Sequence, residues 1–353
     1  MKNHSRRDFL KLGLVATASN ALAGLPSTGA AAPQNTEPTG QPMRYSCFYQ
    51  FGRDAFNYYA DAERGLPNDD SHIHVFSHSH ASVFADPSLA DYVHEAGTSF
   101  KYAPCFDLNK FTGWRSAPDD QLAAWARDFR DQVLAAGADY FGFNELPTIA
   151  GRDAQTRVKI MALLTYLNEP DPDGNQLTGI FFMTHAPSMP NNWTSAASEF
   201  WQRVDDTCTL VVAEHYHGQG FICNNSETYL SNHFFAMRDW LNNSGEPAKI
   251  SIANNKFTVL HSSRYGPGPS GWQGADSTIY TLAQFQRNLS KCASVTRNRA
   301  GGFNRIAFAP LASVYTNPGV HPRIRLLINW HYNQSDDSRE RLCVDAAPVN
   351  CRC

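Results

Sequence analysis

The chain has 353 residues, 42% hydrophobic and 18% charged, with 23 Gly and 20 Pro. That composition is globular and excludes a disordered chain, a collagen and a coiled coil. Lys and Arg number 30 against 33 Asp and Glu. Without residues 1–32, which hold four cations and one anion, the balance falls to 26 against 32, so a basic nucleic-acid-binding surface is not expected.

The N-terminus reads as an address. Ser5-Arg6-Arg7-Asp8-Phe9-Leu10-Lys11 is a twin-arginine motif, followed by a mildly apolar stretch and by small residues around Ala21-Leu22-Ala23 and Gly29 to Ala32. This pattern predicts a signal peptide over residues 1–32, with the twin-arginine translocase as partner during export and a periplasmic or extracellular destination. Past residue 32 no apolar run approaches the ~20 residues of a membrane helix, so no span is expected in the mature chain. Residues 33–43 are rich in Pro, Thr, Gln and Gly and read as a linker.

From Arg44 one rhythm repeats: a short apolar run, a polar loop, then a segment of helical period. The predicted strands are Tyr45–Phe51, His72–Phe76, Ser99–Cys105, Tyr140–Phe143, Gly179–Met183, Thr209–Ala213, Phe257–Leu260 and Ile306–Ala309. Most are apolar at consecutive positions, the mark of parallel strands covered on both faces. Predicted helices occupy 117–136, 152–167, 194–204, 227–241 and 277–295. The first carries Leu122, Trp125, Phe129 and Val133 on one face and stops at Gly137. Eight such units over residues 44–335 fit one (β/α)8 TIM barrel, an α/β fold of a single domain. A doubly wound sheet would usually show a Gly-rich turn after its first strand, and Phe51-Gly52-Arg53-Asp54 is not one. Residues 336–353 form a Cys-containing tail. The eight cysteines, an even count in a chain bound for export, are expected mostly in disulfides.

In barrels of this kind the chemistry sits at the carboxyl ends of the strands. Reading past each run collects Asp107, Asn144 and Glu145, His185, Glu214 with His215, Tyr216 and His217, and His261 with Tyr265. Trp114, Trp193 and Trp272 fall in loops leaving strand ends. Their flat apolar faces suit the C–H faces of sugar rings. Trp125, Trp201 and Trp240 sit at helical spacing and read as core.

Phe143-Asn144-Glu145-Leu146-Pro147 resembles the Asn-Glu-Pro signature that ends strand four in the large clan of (β/α)8 glycoside hydrolases. His215-Tyr216 is similar to that clan's lining after strand six. The resemblance implies that Glu145 is the general acid/base and that Asn144 holds a sugar hydroxyl beside the cleaved bond. The clan's nucleophilic Glu belongs at the end of strand seven, where this chain has Thr258-Val259-Leu260-His261-Ser262-Ser263. The next candidate is Glu214. Two carboxyls are wanted because the bond breaks through an oxocarbenium-like state. One protonates the leaving oxygen, and the other stabilises the cation or activates water. The expected activity is hydrolysis of a polysaccharide or glycan without a cofactor, with Asn144, Asp107, His185, His215, Tyr216, His261, Tyr265 and the three loop tryptophans as substrate contacts.

Two other readings use the same residues. Thirteen histidines include the pairs His72-Ile73-His74 and His78-Ser79-His80, and H-x-H on a strand puts both rings on one face. With His185 and His215 or His217 they compose an amidohydrolase-like site for a divalent metal, Zn²⁺ by donor chemistry. Strand eight, however, ends Ala309-Pro310-Leu311 without the Asp such sites carry. The third reading is a non-catalytic carbohydrate-binding barrel, which needs the aromatics but not the paired carboxylates.

Overall fold

The computed structural model describes residues 44–49, 56, 68, 72–78, 88–146, 153–183, 198–215, 219–262, 288, 291–292, 295 and 305–309. The expected signal peptide, linker and tail lie outside the described residues. Eight strands appear where the apolar runs predict them: β1 (Arg44–Tyr49), β2 (His72–His78), β3 (Phe100–Asp107), β4 (Tyr140–Leu146), β5 (Thr178–Met183), β6 (Cys208–His215), β7 (Phe257–Ser262) and β8 (Arg305–Ala309). Each pairs in parallel with the next, and β8 pairs with β1, so the sheet closes on itself. Closure leaves no sheet edge to protect.

The described helices follow β2 to β6. They are α1 (Leu89–His94), α2 (Asp119–Ala135), α3 (Ala154–Asn168), α4 (Ser198–Thr207), α5 (Gln219–Asn224), α6 (Glu227–Asn242) and α7 (Pro247–Ser251), the last running into a π turn at Ile252–Lys256. The helical part of the units after β1, β7 and β8, including the predicted helix over 277–295, falls largely outside the described residues. Local chemistry sets the ends of the helices. Pro118, with extended backbone, precedes α2, whose first turn carries Asp119 and Asp120 against the positive end of the helix dipole. Gly137 takes φ +79° just past its C-terminus, a conformation costly for other residues, and donates to Leu134 O at 2.9 Å. Asp153 caps α3 by accepting from Gln155 N at 3.0 Å, and Ser226 caps α6 by accepting from Tyr229 N at 3.1 Å.

Alternation along the strands sorts their side chains into two cores. One set faces the inside of the ring: Cys47, Val75, Ala103, Cys105, Tyr140, Ile180, Phe182, Leu210, Val212 and Leu260. The other faces the helices and is largely aromatic, including Phe76, Phe100, Phe106, Phe143, Phe181, Phe200 and Trp201. Trp201 is fully buried, edge-on to Trp240 at 5.8 Å, while Trp125 packs against Phe111 at 5.0 Å, as their helical spacing predicts.

The cysteine expectation needs correcting. Cys47, Cys105, Cys208 and Cys292 are buried thiols outside any disulfide, so at most half of the eight can be paired. These four act as small apolar residues. Burial pushes the Cys208 and Cys292 thiols up to about 12 and raises Cys47 and Cys105 as well. Cys223 is disulfide-bonded, and its partner lies outside the described residues.

At the amino end of the ring, Asp139 precedes β4 and gathers three donors. His94 Nε2 lies at 2.7 Å, Tyr102 N at 2.9 Å and Lys101 Nζ at 3.2 Å. Burial works to raise its pKa, but the His94 and Lys101 contacts win and hold the carboxyl below its ordinary value. This network joins α1, β3 and β4 on the end where barrels keep stability rather than chemistry. No described helix is long and apolar enough to cross a membrane.

Candidate active site

β2, β3, β6 and β7 run two residues further than the apolar runs suggest, and β4 runs three further. Asp107, Asn144, Glu145, Glu214, His215 and His261 are therefore strand residues and not loop residues. Strand geometry then decides which way the described side chains point.

Glu214 shares its face of β6 with Leu210 and Val212, which belong to the interior core. It is 2% exposed, and its charge is felt by both Cys47 and Cys105 across the ring. Asp107 shares the interior face of β3 with Ala103 and Cys105, is 5% exposed, and also acts on Cys105. Two carboxylates from β3 and β6 thus converge on one interior, above a floor of small side chains. Ser77 completes that floor. Its hydroxyl donates to Ala103 O at 2.8 Å, which leaves the Cys105 thiol to donate to Ser77 Oγ at 3.0 Å. After burial, which raises it most, the Cys105 thiol is raised further by Asp107 and Glu214 and partly lowered by Ser77.

β4 brings its own pair to the same end. Asn144 is in register with Asp107, and the β4–β5 register shifts between Phe143 and Leu146, so Asn144 and Glu145 sit in an irregular stretch of strand. Irregular strand ends are common beside active sites, where they re-aim side chains. For Asn144, Glu145 and His261 the description stops at the backbone. His261 is in register with His215 and Phe308. His185, Trp193, Tyr216, Tyr265 and Trp272 lie outside the described residues.

Two expected substrate contacts take other positions. His215 follows Glu214 by one residue and so turns to the opposite face. Its ring packs against α6, 5.0 Å from Phe234 and 5.7 Å from His233. Trp114 is buried, belongs to the outer core, and has the Arg115 guanidinium 5.4 Å from its ring. Both corrections have one cause: adjacent residues, or a short turn of chain, decide between mouth and outer layer, and residue type does not.

The metal reading meets a similar geometry. His74 is fully buried on the outer face of β2, its ring 5.2 Å from Phe100. Among the described residues no three His, Cys, Asp or Glu come together as metal ligands. His80, His185 and His217 lie outside them, as do the side chains of His72 and His78.

No family model matches the chain, and no curated protein does. Solved structures do. A GH18 chitinase from Pseudoalteromonas aurantia superposes with a TM-score of 0.50 over 80% of this chain and 98% of its own, at 11% identity. The catalytic domain of a hyperthermophilic chitinase from Pyrococcus furiosus gives a TM-score of 0.42 over 76% of this chain and 84% of its own, also at 11% identity. At such identity the likeness to the first is one of fold alone: this chain and that chitinase share a barrel architecture.

Proposed function

We propose that the chain is an exported (β/α)8 glycoside hydrolase that cleaves a polysaccharide or other glycan with two carboxylates. The observation that carries this reading is Glu214, a carboxylate turned into the ring at the carboxyl end of β6, with Asp107 beside the Asn144-Glu145 pair on the adjoining strands. In this reading Glu145 donates a proton to the leaving oxygen. Glu214 stays ionised and either attacks the anomeric carbon or takes a proton from water. β4 and β6 are separated by one strand, so their backbones stand roughly 10 Å apart, a span two Glu side chains can close to either working separation. Asp107 and Asn144 hold hydroxyls of the sugar, and His185, Tyr216, His261, Tyr265, Trp193 and Trp272 complete the contacts. His215 supports the strand from behind, and Trp114 belongs to the core. The twin-arginine leader carries the protein across the inner membrane, and residues 33–43 and 336–353 flank the barrel.

The test is a pair of nearly isosteric variants, with chitin oligomers heading the substrate panel because the Pseudoalteromonas neighbour is a chitinase. General acid–base help is worth about 10²–10⁴-fold. Glu145→Gln should lower kcat by that much on a substrate with a poor leaving group and by less on an aryl glycoside. Glu214→Gln should lower it on both. A folded Glu145→Gln protein that hydrolyses its glycan within a few-fold of wild type removes Glu145 as the acid. Chelation with EDTA should leave activity intact, whereas loss restored by Zn²⁺ would transfer the chemistry to the histidines.

A further inference from the structure

Tyr229 is one of two large hydrophobic side chains exposed among the described residues, the other being Val158, the fifth residue of α3. It is the third residue of α6. That helix follows β6 through residues 216–218 and α5, so its first turn stands at the same end of the ring as Glu214. The residue is 48% exposed, yet its ring is held. One face stacks on His233 at 5.9 Å and 14°, and Phe221 of α5 lies 6.1 Å away at 62°. His233 in turn packs on Phe221 at 5.0 Å and on His215 at 5.7 Å. The backbone is fixed too. Ser226 caps Tyr229 N, and Lys291 Nζ donates to Ile222 O at 3.0 Å and to Asn225 O at the end of α5. A line of rings therefore runs from the strand behind Glu214 to an open phenol face at the rim.

We infer that Tyr229 is an outlying carbohydrate subsite, a platform for a sugar unit of the same polymer whose bond is cleaved in the mouth. This rests on the glycoside hydrolase reading and adds to it that the substrate is a long chain. The occupant follows from the chemistry. A flat ring with one face covered and the other open matches the C–H face of a pyranose, its hydroxyl can meet a sugar hydroxyl, and its fixed orientation leaves little entropy to lose on binding.

The experiment compares wild type, Tyr229→Ala, Tyr229→Phe and Glu214→Gln. It measures binding to powdered chitin and microcrystalline cellulose, together with hydrolysis of the polymer and of a soluble trisaccharide. Tyr229→Ala should bind the retained polysaccharide about 3–10-fold more weakly, as expected for one aromatic contact of 0.5–1.5 kcal/mol. Its loss of kcat/KM on the polymer should exceed its loss on the trisaccharide by a similar factor. Tyr229→Phe should recover most of both. Glu214→Gln should still bind the polymer, so loss of hydrolysis there tests the catalytic reading separately. The platform is overturned if Tyr229→Ala binds polymer like wild type, if wild type binds neither polymer, or if sedimentation shows that Tyr229→Ala dissociates a dimer while polymer binding is unchanged.

Discussion

The two faces of the barrel wall are built from different materials. The outer face is an aromatic lattice. Phe106, Phe143 and Phe181 stack across β3, β4 and β5 at 6.0 and 6.1 Å, and Phe200 of α4 continues the row edge-on at 6.3 Å. The inner face at the same height holds Cys105, Gly142 and Ile180. Outside, the diverging surface between sheet and helices has room for large rings, and burying each is worth about 1.5–3 kcal/mol. Inside, eight walls converge, and small side chains such as Cys47, Ala103 and Cys105 share the space beneath Asp107 and Glu214 with a few large ones, Tyr140 and Phe182 among them. The outer layer carries the stability that lets the inner one bury carboxylates.

Breaking the outer lattice should cost most. Phe143 is fully buried with a stacked neighbour on each side. Phe143→Ala should lose about 3–5 kcal/mol of stability, read from urea unfolding. A loss below 1 kcal/mol would mean the row contributes little beyond its own area.

Overfilling the inner face comes next. A Cβ on Gly142 would stand 2.3 Å from Cys105 Sγ, 3.2 Å from Cys105 Cα and 3.3 Å from its Cβ. The sulfur can rotate away but the backbone cannot, so Gly142→Ala should cost about 1–3 kcal/mol. The double variant Gly142→Ala, Cys105→Ala should recover part of that. An additive double variant would place the strain elsewhere.

Much of this was legible in the sequence and one part was not. The eight strands could be placed because most parallel strands in a closed ring are apolar at consecutive positions. That property also hides the facing of each residue. Tyr140-Phe141-Gly142-Phe143 has no alternation to read, so neither the inward turn of Glu214 nor the outward turn of His215 could be told from the order Glu-His. Gly142 was the available clue, since a glycine inside a strand marks a close approach. The cysteines misled for a related reason. Their number suggested export chemistry, while Cys47 and Cys105 serve as small filling for the interior.

Thiol counting sharpens that point with a smaller effect. In the folded protein Cys47, Cys105, Cys208 and Cys292 should resist alkylation, being buried with raised pKa values. Unfolding without reductant should expose four to six thiols. Seven or eight would remove the disulfide at Cys223, and fewer than four would contradict the four buried thiols.

The smallest effect concerns the histidine between the wall and the rim. Burial lowers the pKa of His233 below 6.5. The rings packed against it include His215 from β6, Phe221 from α5, and Tyr229 and Phe234 from its own helix. A histidine whose folded pKa is depressed takes up its proton more readily in the unfolded chain. Its contribution is therefore fully present above pH 6.5 and declines as pH falls from 6.5 towards the lower folded value. Wild-type protein should show a falling urea midpoint over that interval, and His233→Phe, which keeps an aromatic ring but cannot titrate, should show a shallower fall. His215→Phe, which replaces the neighbouring ring of β6, serves as the comparison. Equal slopes for wild type and His233→Phe would mean that His233 is solvated enough to charge in place, and the Tyr229 platform would then rest on a looser support than its ring contacts suggest.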